Sequence, residues 1–158
     1  MNPTRNDLPE STRAKVAALL NDRLADLLDL HSQVKQAHWN IKGPSFIALH
    51  ELFDEIAGSL AEHADTTAER AVQLGATARG TVRLAAAASS LPEYPQAATN
   101  QGAHLTALAD RLAAVGRSAQ AAIETAAKLG DTDTADLFTA VSRSLDKHLW
   151  FVESHLQG

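Results

Sequence analysis

The sequence predicts an all-α fold: a four-helix bundle whose two helical hairpins are joined by one long crossover. Three observations carry this. Apolar residues recur at threes and fours through four long stretches, the mark of amphipathic helices. The glycine and proline breaks between those stretches leave a short, a long and a short connection. Alanine, the strongest helix former, is abundant, while aromatic residues are 4% of the chain and strand-like runs are few.

The first stripe is Val16, Leu19, Leu20, Leu24, Leu27, His31, Val34, His38 and Ile41. Ser11 or Thr12 is expected to cap its start. Gly43-Pro44 ends it, since glycine accepts the left-handed conformation and proline cannot extend the hydrogen-bond ladder. The second helix starts near Pro44 or Ser45 and runs to about Leu74, with Phe46, His50, Phe53, Ala57, Leu60, Ala64 and Ala71 facing inward and Gly75 closing it. Residues 76–99 form the crossover, with a short helix expected inside it. The third long helix runs from about Asn100 to Leu129 on Leu105, Leu108, Leu112, Val115 and Ile123. Gly130 breaks it. Asp131 or Thr132 caps the fourth, where Phe138, Val141, Leu145, Leu149, Val152 and Leu156 keep the period.

A chain of 158 residues with 45% hydrophobic content suits one domain with one core. Residues 13–156 are read as that domain and 1–12 as a flexible N-terminal tail. The net charge of −5 is not that of a dedicated nucleic-acid binder. With no cysteine, disulfides, thiolate metal sites and cysteine nucleophiles are excluded, so any metal must be held by nitrogen and oxygen. Seven histidines and nineteen acidic residues can supply those atoms. No secretory leader and no membrane-length apolar run is evident, so a cytoplasmic location is expected, with nucleoid association left open.

The segment AHWNIKGPSFIALHELFDEIAGSLAEHADTTAERAVQLG concentrates the candidate chemistry. On one helix, His50, Asp54, Asp65 and Glu69 fall at roughly 0°, 40°, 60° and 100°, all on one side. The pair His50/Asp54 and the pair Asp65/Glu69 are nevertheless centred about 22 Å apart along the axis, so they cannot share an ion within one chain. An antiparallel copy of the helix, crossing near Ser59, brings the first pair of one subunit to the second pair of the other and makes two identical sites. Ala57, Gly58 and Ala61 are small enough to permit that crossing. His38, across the Gly43-Pro44 turn, can complete the first half-site. The alternative at this level is a solvated acidic face with core or interface histidines. Two carboxylate pairs meeting at an interface would, however, be costly without a cation.

KQAHWNIKGPSFIALHELFDEI, followed by DTTAERAVQLG and by DTDTADLFTAVSRSLDKHLWFVES, resembles the signature of the Dps family, or mini-ferritins. The resemblance runs from Arg13 to His155. It implies a ferritin-like four-helix bundle assembled into a hollow dodecamer. It implies that His38, His50 and Asp54 of one subunit, with Asp65 and Glu69 of its two-fold mate, form a ferroxidase centre. Iron would be oxidised there, preferably by hydrogen peroxide, and stored as ferric mineral, protecting the cell from oxidative damage. Glu69 is the carboxylate best placed to bridge two irons. Zinc, cobalt or manganese can occupy the same donors. No glutamate has a histidine three positions later, which argues against an intrasubunit di-iron centre.

Other positions carry two readings each. Trp39 is a packing residue or, by resemblance, a radical trap beside the site. Asp131, Asp133 and Asp136 are helix-start carboxylates or lining for an acidic entry pore. His31, two turns before His38, is the best candidate for supporting the ligands. His63, His104, His148 and His155 match no ligand, and Lys147 and Arg143 read as surface or interface residues. DNA binding gives the family its name, but Arg5, Arg13 and Lys15 are offset by Asp7 and Glu10, so strong DNA binding is not expected. Two alternatives remain: a DNA-binding protection protein with little ferroxidase activity, and an assembly holding structural zinc.

Overall fold

The computed structural model describes residues 1–157. Its helices are α1 (Glu10–Asn40), α2 (Phe46–Gln73), α3 (Val82–Ala88), α4 (Gln101–Lys128) and α5 (Thr132–Ser154). α1 packs along α2, and α4 along α5. The hairpins meet through α1 against α4 and α2 against α5, and the short α3 lies on α1. α2 and α5 run antiparallel, because Ser59 meets Ser144 while Arg70 meets Thr134. This is the four-helix bundle with a helix-bearing crossover that the periodicity predicts. No helix among the described residues is long and apolar enough to cross a membrane.

The inward stripes build one core, with Leu20, Leu30, Phe53, Leu60, Leu108, Leu112 and Phe138 among its enclosed members. Truncating Phe53 or Phe138 to alanine would cost about 3–5 kcal/mol each. Phe46 and Leu156 fall at helix ends and are exposed.

The helix starts show where local chemistry decided. Asn100 accepts from the Ala103 N–H and Asp131 from the Thr134 N–H, each by its side chain, as expected of N-caps. α1 is different: neither Ser11 nor Thr12 caps it. The cap position is Pro9, whose carbonyl accepts from Thr12 and Arg13, and both predicted residues lie inside the first turn. Proline fits there because its fixed φ matches a helix entry and its missing N–H would have been unpaired anyway.

Arg13 is buried, donating from Nε to the Leu8 carbonyl and from a terminal nitrogen to the Leu74 carbonyl. It ties the start of α1 to the end of α2. Beside it, the Asn2 N–H donates to the Gly75 carbonyl at 2.6 Å. Gly75 has φ +86°, and a Cβ there would lie 2.5 Å from the Asn2 carbonyl oxygen, so only glycine fits.

Candidate metal centre

The α1–α2 turn carries the first group of candidate ligands. His38 lies in the last turn of α1 and His50 in the second turn of α2. Their rings stack at 3.7 Å between centroids, 20° from parallel. His38 Nδ1 lies 2.8 Å from the His50 carbonyl oxygen, and His50 Nδ1 lies 2.9 Å from the His38 carbonyl oxygen. A carbonyl only accepts, so both Nδ1 atoms carry the proton and donate. With Nδ1 donating, the neutral form of each ring presents an Nε2 lone pair, the atom a metal needs.

Asp54 lies one turn beyond His50, with Oδ1 4.0 Å from His38 Nε2. It is 62% exposed and is bound by Lys35, whose Nζ is 2.7 Å from the same oxygen. That hydrogen bond, with the lysine charge, holds the Asp54 carboxyl below its usual range. Thus one chain brings His38, His50 and Asp54 together. Asp65 and Glu69 are exposed farther along α2, on the same side. Among the described residues, no three histidine or acidic groups of the single chain form a metal-holding cluster.

The face joining the two halves is open and partly apolar. Gly58 and Ala61 are exposed on it, and a Cβ added at Gly58 would meet nothing within 4 Å. Ile47 and Val72 are exposed near its two ends, Trp39 stands 68% exposed on α1, and Val82 projects from α3. Two of the expected crossing residues are placed otherwise. Ala57 is in the chain's own core, and Ser59 turns to α5, its Oγ 3.0 Å from Ser144 Oγ.

Lys35 is the site residue the sequence reading missed. It lies three positions before His38, and this i, i+3 spacing on one helix face was a usable signal. Its Nζ also stands 5.8 Å from the Trp39 ring centroid. His31 shares a groove with Lys35, Trp39 and Val82. Burial first, then the Lys35 charge, lowers its pKa.

The remaining candidates separate by burial. Asp131 is 2% exposed and fully engaged: it caps α5 at Thr134 and accepts from Arg70 at 2.8 Å. Asp133 and Asp136 are exposed. His104 and His148 are buried, His63 is half-buried, and His155 is exposed at the end of α5. Burial lowers the pKa of His63, His104 and His148. Lys147 pairs with Glu55 at 3.7 Å, and Arg143 is exposed.

Bundle, crossover and an imidazole–carboxylate cluster at a helical corner define a ferritin-like protein, and comparison with known proteins agrees. The family model described as a ferritin-like domain matches residues 17–158. A DNA protection during starvation protein of Agrobacterium fabrum is 47% identical over 154 residues, spanning 98% of this chain and 95% of that one. Among solved structures, Dps of Mycobacterium smegmatis superposes with a TM-score of 0.94 at 33% identity, over 99% of this chain and 94% of the other. The Dps protein of Vibrio cholerae, described as one of a broad superfamily of ferritin-like diiron-carboxylate proteins, superposes at 0.90 with 25% identity, over 99% and 98%. The chain belongs to the Dps family.

Proposed function

We propose that this protein is a ferroxidase and iron-storing mini-ferritin whose metal centres lie between two-fold related subunits. The observation that carries this reading is the reciprocal bonding of His38 and His50. It fixes both tautomers with Nε2 free, beside Asp54 and on the side of α2 where Asp65 and Glu69 are exposed.

Ferrous iron is the substrate. Imidazole nitrogens suit the divalent ion, and carboxylates stabilise the ferric product. His38, His50 and Asp54 of one subunit bind it together with Asp65 and Glu69 contributed by the mate. Glu69 is the bridge that lets a second iron bind nearby. Two ferrous ions each give one electron to hydrogen peroxide, whose O–O bond breaks to give two waters with uptake of two protons. Delivering both electrons together avoids release of hydroxyl radical. The protein's contribution is to hold iron and oxidant in place. The exposed small and apolar residues of α1, α2 and α3 pack against the same face of the mate, within a closed dodecamer. The ferric product collects in its hollow interior. Zinc and cobalt compete for the same donors.

Subunit mixing tests this directly. One variant carries His38→Ala and His50→Ala, and the other Asp65→Ala and Glu69→Ala. Each alone should be inactive with ferrous iron and peroxide. Coexpressed equally, half the dimers are mixed and each regains one intact centre, so about a quarter of the activity returns. Mixed assemblies that stay inactive would refute the shared centre.

Relatives named for DNA protection raise a second activity. The net charge of −5 opposes strong binding to phosphate at ordinary salt. A gel-shift titration in varied salt should show only weak retention of DNA.

A further inference from the structure

A groove of about 430 Å³ runs along α1 beside the proposed metal centre, with α3 and the preceding Gly80 as its far wall. Its walls are mostly apolar: Leu28 and Trp39 come from α1, and Val82 and Ala86 from α3. Gly80 keeps the floor open, since a Cβ there would stand in ordinary contact, 3.5 Å from Leu28 and 3.6 Å from Leu24. One end of the groove reaches the centre. Lys35 lines it, with Nζ 2.7 Å from Asp54 Oδ1 and 5.8 Å from the Trp39 ring centroid. Asp54 in turn stands 4.0 Å from His38 Nε2.

Charge decides what can travel along this groove. An ammonium stands at its inner end, so a dication is repelled there before it meets a ligand. Among the described residues the lining holds one acid, Asp29, and both of its oxygens are engaged. Oδ1 accepts from the Gln33 amide at 3.1 Å and Oδ2 from the Ser89 hydroxyl at 2.6 Å. Burial, then the Lys35 charge, lowers the pKa of His31, which leaves this lining residue neutral at about pH 7. The exposed carboxylates of Asp54, Asp65 and Glu69 offer cations a separate approach. A small uncharged molecule meets no electrostatic barrier at Lys35.

We propose that the groove between α1 and α3 admits a small neutral oxidant to the metal centre, while ferrous iron arrives from the carboxylate side. This rests on the ferroxidase reading and adds the oxidant's route to it. With the mate's α2 over the open side of the centre, and the mate packed on the rims at Trp39 and Val82, the groove becomes a covered passage ending at Lys35. Hydrogen peroxide and dioxygen share the chemistry required, being small and uncharged.

The test uses the full assembled protein. Ala86→Phe narrows the groove from the α3 wall. Gly80→Leu fills its floor, and Gly80 does not have the positive φ that would strain a side chain there. Ala87→Phe is the control, because it makes the same change on the same helix but faces a different cleft, with Asn21 and Arg79. Each protein is loaded with ferrous iron without oxygen, then mixed rapidly with peroxide or with dissolved oxygen. Cobalt(II) titration reports the ligands separately. Both groove variants should react several-fold more slowly with unchanged cobalt affinity, and Ala87→Phe should match the parent protein. Slowing with one oxidant alone identifies that oxidant as the occupant, and slowing with both shows a shared passage. Parent-like rates with both oxidants would overturn the proposal, as would equal slowing in Ala87→Phe or a loss of cobalt affinity that accounts for the loss of rate. If Ala86→Phe fails to assemble, Gly80→Leu decides by the same criteria. A parent protein that oxidises iron no faster than buffer defeats the metal-centre reading itself. An active parent whose groove variants are equally active defeats only the route.

Discussion

His38 and His50 exchange hydrogen bonds, each ring Nδ1 donating to the other residue's backbone carbonyl at 2.8 and 2.9 Å. One interaction thus satisfies an orphan carbonyl at the end of α1, joins α1 to α2 and orients the two proposed ligands. His50→Phe separates these roles, since it keeps an aromatic ring of similar size and removes both nitrogens. Cobalt(II) binding should fall by more than about ten-fold. The metal-free protein should also lose about 1 kcal/mol per subunit, because the His38 carbonyl loses its donor. Calorimetric titration and denaturation of the metal-free variant report the two effects separately.

Lys35 occupies Asp54 at 2.7 Å, so an arriving cation competes with a resident ammonium. Asp54 is 62% exposed, so solvent screens this ion pair and it is weak. A dication should displace the lysine easily. Lys35→Met should tighten cobalt(II) binding by at most about five-fold at low salt, with the gain shrinking as salt rises. Weaker binding in Lys35→Met would show instead that the lysine holds Asp54 in its working position.

The bundle was legible because its signal is periodic: leucine and alanine spacing and the breaks at Gly43, Gly75 and Gly130 report helices and turns without tertiary knowledge. His38, His50 and Asp54 were legible as a cluster because a tight turn brings the ends of two adjacent helices together. Backbone partners were not legible. Nothing in residue spacing says that the two histidines bond to each other's carbonyls, or that Gln101, more than fifty positions from the turn, accepts from the Ser45 N–H. Pro9 was missed as the start of α1 because Ser11 and Thr12 offered the more familiar side-chain cap. Ser59 lies at the right height for the proposed crossing but turns to α5, a choice made by packing.

Asp131 illustrates a carboxylate whose role burial decides. Its hydrogen bonds to Thr134 and the charge of Arg70 keep its pKa low although burial pushes it up. Asp131→Ala removes the α5 cap and leaves the Arg70 charge, itself mostly buried, without this partner. The expected cost is about 3 kcal/mol, read from urea denaturation at fixed protein concentration. Asp133→Ala, at an exposed carboxylate 3.7 Å from Arg70, should change stability by less than about 0.5 kcal/mol. Equal losses in the two variants would contradict this division.

Stability should also fall with pH in two stages, and the sign follows from the direction of each shift. Burial lowers the pKa of His63, His104 and His148, which stay neutral in the folded chain while their unfolded counterparts protonate. Their contribution is complete above about pH 6.5 and is lost as pH falls through the folded values. Asp131 also has a depressed pKa, but its contribution is lost only below about pH 4. His148 gives the cleanest test. It is 3% exposed, its Nδ1 has no hydrogen-bond partner, and the attraction of Glu55 only partly offsets burial. Each such group adds at most about 1.4 kcal/mol per pH unit to the slope. Denaturation midpoints between pH 7.5 and 5.5 should therefore drop in the parent protein and drop less in His148→Gln. If the two slopes are the same, His148 takes up its proton without opposing the fold, and the dependence must come from the other histidines.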